Sequence, residues 1–156
     1  MNSKKSIKIL KSLIAHNNDR IVCYELVLHD NETLDQDLKT MFTHLVQVSK
    51  KIREELSNEV RKSGGEPPED GREGSKFLSA WAEVRKALEK NEHMEIVMAC
   101  EHCEQVIIDA YEKVLNDHEE DLASEQQITM ITKQLRLLKA NLKEIHDSKA
   151  SLLDHK

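Results

Sequence analysis

The sequence predicts an all-α protein, a ferritin-like bundle of two antiparallel helical hairpins joined by a long crossover that carries a short extra helix. Three observations support this. All four glycines (Gly64, Gly65, Gly71, Gly74) and both prolines (Pro67, Pro68) fall between 64 and 74, so two long arms contain none of the strongest breakers of regular structure. Each arm is rich in Leu, Glu, Lys, Gln and Ala, which form helices readily. No period-two alternation persists, and no Asn-Gly or Asp-Gly turn occurs.

The first helix is expected over about 3–29, from apolar residues at Ile7, Leu10, Ile14, Ile21, Tyr24 and Leu28. Asp30-Asn31-Glu32-Thr33 ends it. Thr33 with Gln36 reads as a capping box for a second helix over 34–63, whose stripe is Leu34, Leu38, Met41, Leu45, Val48, Ile52 and Leu56. So short a turn makes these two helices antiparallel.

A crossover loop covers 64–74, and Ser75 opens a shorter helix over 75–90 carrying Phe77, Leu78, Trp81, Val84 and Leu88. Trp81, the only tryptophan, reads as the anchor of this helix on the bundle or as a partner contact. The third long helix, 92–116, carries Ile96, Cys100, Cys103, Ile107, Tyr111 and Val114. The fourth is expected over 120–154, with Ile128, Ile131, Leu135, Leu138, Leu142, Ile145 and Leu152 on one face. Ser124 with Gln127 offers another capping box, while Leu122 favours an earlier start. Lys149 interrupts the stripe near its end.

The crossover decides the topology. The second helix would be about 45 Å long. The loop covers at most about 36 Å and the helix behind it adds about 22 Å. The link can therefore return to its starting end, which is the ferritin-like layout in one domain over 1–156.

The chain has 156 residues, 18.0 kDa and a net charge of −6. With 38% hydrophobic residues it is too apolar for a disordered polyanion. An acidic balance with 3% aromatics argues against nucleic acid. The longest apolar run, Ile96 to Cys100, is far below the roughly 20 residues of a membrane span, and no signal peptide is visible behind Lys4, Lys5, Lys8 and Lys11. Three cysteines do not make a disulfide framework. A reducing cytoplasm is the expected location.

Several stretches carry a resemblance: Glu55-Leu56, then Val60-Arg61-Lys62-Ser63-Gly64-Gly65-Glu66-Pro67, then Gly74-Ser75 with Trp81 six residues on. Glu101-His102-Cys103-Glu104, Ala110-Tyr111 and His146-Asp147 complete the set. From about Ile7 to Asp147 the chain resembles an uncharacterised bacterial family of ferritin-like four-helix-bundle proteins, a domain of unknown function. Leu78 stands where that family often has His, and Cys103 where it often has Gly. The resemblance implies a fold and an oligomer, and brings no established activity.

A ferritin-like di-iron site needs inward Glu residues and two Glu-x-x-His pairs. None of the eight histidines has Glu three residues before it. A looser candidate metal set is Glu25, Glu55, Glu101, Glu104 and His146, for iron, manganese or zinc, because carboxylates on core faces are costly unless paired or metal-bound. Asn141 shares the face of Leu138 and Ile145. The alternative places these groups at the bundle's margins, hydrogen-bonded to Lys, Arg or Tyr. Cys100-Glu-His-Cys103 lacks the second ligand pair of a structural zinc site and the βαβ setting of a redox motif, so it reads as core packing beside a metal or redox alternative. Glu25/His29 and Glu89/His93 are i, i+4 pairs for a solvated contact or a surface metal. Glu119-Glu120-Asp121 complements a helix dipole. No catalytic triad, P-loop or dinucleotide fingerprint is present.

The expectation for function is a non-catalytic cytoplasmic protein acting by self-association, as a dimer or larger homo-oligomer, or by contact with another protein. Its rival is a metal-binding protein with a degenerate carboxylate site. A third reading, a pH sensor, rests on the histidine content alone.

Overall fold

The computed structural model describes residues 3–29, 34–68, 75–90 and 92–154, with the backbone path alone for 3, 75–81, 151 and 154. Among the described residues the fold is all-helical, as expected: α1 (Ser3–His29), α2 (Gln36–Lys62), α3 (Ser75–Lys90), α4 (His93–Asp117) and α5 (Glu125–Asp154), with a 3₁₀ turn at Glu119–Asp121 and no strand. None of these helices is long and apolar enough to cross a membrane.

Side-chain pairings fix the relative directions of the helices. Arg53 on α2 donates to Asn18 on α1 (3.1 Å), while Phe42 stacks at a tilt on Tyr24. One partner moves forward in sequence as the other moves back, so α1 and α2 are antiparallel. The same reversal relates α1 to α4 through Arg20–Glu104 and Asn17–Tyr111. It relates α4 to α5 through Tyr111–Gln134 and His146–Glu101, and α2 to α5 through His44–Glu144 and Gln134–Glu55. Ser6 meets Gln127 and Arg20 meets Asn141 at one shared offset of 121 residues, so α1 and α5 run parallel. Glu83–His102 and Lys90–Glu95 pack α3 antiparallel on α4.

The core draws on every helix: Leu10 and Ile14, Phe42 and Ile52, Val84, Ile96 and Ile107, then Ile131, Leu138 and Ile145 are all excluded from solvent. Burying each large aliphatic side chain contributes about 1.5–3 kcal/mol, which outweighs the modest intrinsic stability of any one helix.

Chain breaks follow local chemistry. The Thr33 half of the expected capping box lies outside the described residues. The cap of α2 is Asp35, whose carboxylate accepts from Asp37 N (2.7 Å). At the other end Gly64 N donates to Arg61 O (3.0 Å) and Gly65 N to Val60 O (2.9 Å), a Schellman closure with Gly64 at φ +89°. The expected helix start at 120 is corrected. Leu122 is buried in an extended conformation after the 3₁₀ turn, so its core contact interrupts the helix. Ser124 Oγ then accepts from Gln127 N (3.2 Å), half of the box. The Gln127 side chain reaches back one residue further than expected and accepts from Ala123 N (2.9 Å) and Ser6 Oγ (2.7 Å). The Trp81 side chain and most of the crossover loop lie outside the described residues.

Candidate functional site

The polar centre of the molecule is built on α1, where Asn17, Arg20 and Tyr24 follow one another down the helix face turned to α4 and α5. Arg20 and Glu104 are both fully buried. Arg20 Nε and Nη2 donate to Glu104 Oε1 at 3.0 and 2.6 Å, and Tyr24 Oη donates to the same oxygen. Arg20 Nη2 also donates to Asn141 Oδ1 (3.2 Å), and Asn141 passes a bond to Glu144 Oε1 (3.2 Å), beside His44. The Arg20 guanidinium further lies 5.6 Å from the centre of the Tyr24 ring.

Burial opposes the charged form of Arg20, but Glu104 and Tyr24 reverse this and raise its pKa. Burial and the neighbouring Glu104 charge hold the Tyr24 hydroxyl well above its ordinary value. Tyr24 is thus a neutral donor, and Arg20 keeps its positive charge at any ordinary pH. Among the described residues, Arg20 Nη1 and Glu104 Oε2 have no hydrogen-bond partner.

A second polar chain starts one turn earlier. Asn17 Nδ2 donates to Leu13 O (2.9 Å) and to Tyr111 Oη (3.1 Å). Tyr111 donates to Gln134 Oε1 (2.8 Å), and Gln134 Nε2 donates to Glu55 Oε1 (3.2 Å). Burial lifts the Tyr111 hydroxyl pKa too. Both tyrosine and glutamine members of this chain are paired, whereas Asn17 Oδ1 is buried without a hydrogen-bond partner among the described residues.

The candidate metal residues therefore occupy different places. Glu104 is in the core on Arg20. Glu55 is half-buried at the α2–α5 seam, on Gln134. Glu25 is exposed on the far side of α1. Glu101 and His146 do come together, with His146 Nδ1 3.0 Å from Glu101 Oε2, while Lys149 Nζ takes the other oxygen at 2.8 Å. Partial burial alone would raise the Glu101 pKa, but Lys149 and His146 pull it below the ordinary 4.5. Among the described residues no group of three or more His, Cys, Asp and Glu side chains is placed to hold a metal ion.

Cys23, Cys100 and Cys103 are free and buried, packed together between α1 and α4 with Glu104 nearby. The Cys100 contact and burial push the Cys23 pKa well up. For Cys100 the Cys23 contact acts downward, but burial prevails and the value is raised. The Cys23 contact and burial raise Cys103. Thiols held in the neutral form are poor nucleophiles and poor metal ligands.

Arg20, Asn17 and Gln134 are site residues that sequence reading missed; on α1 the missed pair had a local sign. Their signal was a polar run, Asn17-Asn18-Asp19-Arg20, set inside an apolar stripe, all four of them buried.

Over residues 5–117, which hold all but the first two residues of α1 and the whole of α2 to α4, with both Arg20 and Glu104, the chain matches the family described as Domain of unknown function (DUF2383). The chain belongs to that family. The DUF2383 segment stops at the end of α4, so Asn141 and Gln134, which complete both polar chains, lie on a helix beyond it. No curated protein and no solved structure matches the chain.

Proposed function

We propose that this chain is a single ferritin-like four-helix domain without catalytic activity of its own, acting by self-association or protein contact in the cytoplasm. The observation that carries the reading is Arg20 on Glu104, both fully buried. In ferritin-like di-metal proteins the inward carboxylates are neutralised by the bound ions. Here a guanidinium supplies that positive charge. The antiparallel pairs α1/α2 and α4/α5, with α1 parallel to α5, support a two-hairpin layout. Three free thiols suit a reducing compartment.

The test is elemental analysis of untagged protein grown with iron, manganese and zinc, joined to sedimentation at micromolar concentration. Sub-stoichiometric metal and a dimer or larger species are expected. One or two metal equivalents per chain, lost in Glu104→Gln, would overturn the reading. So would a monomer that captures no partner.

A second reading is favoured by the Glu101–His146 contact alone: a peripheral site for iron, manganese or zinc. There the metal must displace Lys149 from Glu101, so Lys149→Met should strengthen zinc binding measured by calorimetry. No binding by either form removes this reading.

A further inference from the structure

The first half of α1 and the end of α4 enclose a cleft of about 490 Å3, within the ordinary range for small-molecule sites. Its floor is apolar, formed by Ile9, Ala110 and Val114 over the buried Leu13. Its rim is basic, with Lys5, Lys8 and Lys113 against a single carboxylate, Asp121. Such a concentration of positive charge stands out in a chain of net charge −6.

Asp121 is already engaged, with Lys5 Nζ 3.6 Å from one oxygen and His118 Nδ1 3.2 Å from the other. Among the described residues, neither Lys8 nor Lys113 has a carboxylate within ion-pair distance. They are exposed, on two different helices, with apolar surface between them. An anion seated between the two ammonium groups would relieve their repulsion, and an apolar body behind it would cover Ile9 and Val114. The cleft is lined by no Phe, Tyr or Trp, and its two imidazoles are His16 and His118, the latter held on Asp121, so it lacks the large aromatic platform that suits a base. Its cations are lysine point charges, without the arginine fork that favours bidentate phosphate recognition.

We propose that this cleft binds a small amphipathic anion, a single-chain fatty carboxylate, with the carboxylate between Lys8 and Lys113 and the hydrocarbon along Ile9, Ala110 and Val114. The site is separate from the buried Arg20–Glu104 pair and stands independently of the function proposed above.

The probe is sodium decanoate below its micellar concentration, titrated calorimetrically into the full chain, with methyl chemical shifts of Ile9 and Val114 followed by NMR. Expected are saturable one-to-one binding, shifts at both methyl sites, and about tenfold or greater weakening in Lys8→Gln/Lys113→Gln, since both charge-assisted contacts to the carboxylate are lost. Both lysines are exposed, so the variant keeps its fold, which circular dichroism verifies. Unsaturable uptake, equal binding by the variant, or equally tight binding of neutral decanol overturns the proposal. Displacement of decanoate by equimolar inorganic phosphate also overturns it, by showing an anion site indifferent to the chain.

Discussion

Arg20 on α1 and Glu104 on α4 meet across the centre of the molecule, with Nη2 2.6 Å from Oε1 and both side chains wholly removed from solvent. Removing either partner leaves an uncompensated charge in the core. Arg20→Met should therefore lower stability by about 3–5 kcal/mol, read as a shift in urea midpoint at unchanged slope. Arg20→Met/Glu104→Leu should recover most of that loss, because a buried pair and a packed apolar pair are often equivalent. A loss below about 1 kcal/mol for Arg20→Met, the net worth of an ordinary hydrogen bond, would contradict the account.

Glu101 gives a pH dependence with a defined sign. Its folded pKa lies below the ordinary 4.5 through Lys149 and His146. Its contribution is present above the unfolded value and disappears as pH falls through the folded one. The stability gap between wild type and Glu101→Gln should be widest near neutrality and close as the solution becomes acidic below pH 4.5. Thermal melts across that range decide it, and a gap that does not change with pH would remove the ion-pair explanation.

The three thiols make a kinetic prediction. Buried and held neutral, Cys23, Cys100 and Cys103 should stay unlabelled by an aromatic disulfide reagent at pH 8, and all should react in guanidinium. Rapid labelling of even one thiol in the native protein would show an open route into the core.

At the end of α2 two adjacent glycines should respond differently. Gly64 has φ +89° and open space around its Cα, so Gly64→Ala meets only backbone strain, about 1–2 kcal/mol, and Gly64→Asn should cost less. Gly65→Ala would set a Cβ 3.0 Å from Ile7 Cγ2 and 3.1 Å from Val60 Cγ1, a steric cost that Ile7→Ala should relieve in part, on the Ile7 side. Urea titration of the four proteins tests both. Wild-type stability in Gly64→Ala would refute the strain argument.

The helical class was legible because Gly and Pro punctuate the chain at one place only, and the buried face of α4 was legible because Ile96, Cys100, Cys103, Ile107, Tyr111 and Val114 keep a clean period. Reading α1 was harder. Its core side runs Leu13, Asn17, Arg20, Tyr24 and Val27, so polar residues occupy positions that a hydrophobic pattern skips. Following Ile21 to Leu28 instead rotates the stripe and sets Glu25 on it, whereas Glu25 faces solvent. Glu104 could be singled out as a carboxylate on an apolar face. Its partner could not, since pairing across 84 residues leaves no trace in local spacing. The start of α2 shows the same limit at short range: Asp35 and Thr33 are both good caps, and only backbone geometry selects between them.

The constant offset of 121 residues at Ser6–Gln127 and Arg20–Asn141 bears on how the chain is made. Synthesis proceeds from the N-terminus, so Ser6 and Arg20 emerge long before the helix that completes their contacts. Until then these polar groups must remain hydrated, which delays closure of the first hairpin's inner face. A ribosome-held chain ending before Glu125 should accordingly be cut by protease within α1, and a released full-length chain should resist.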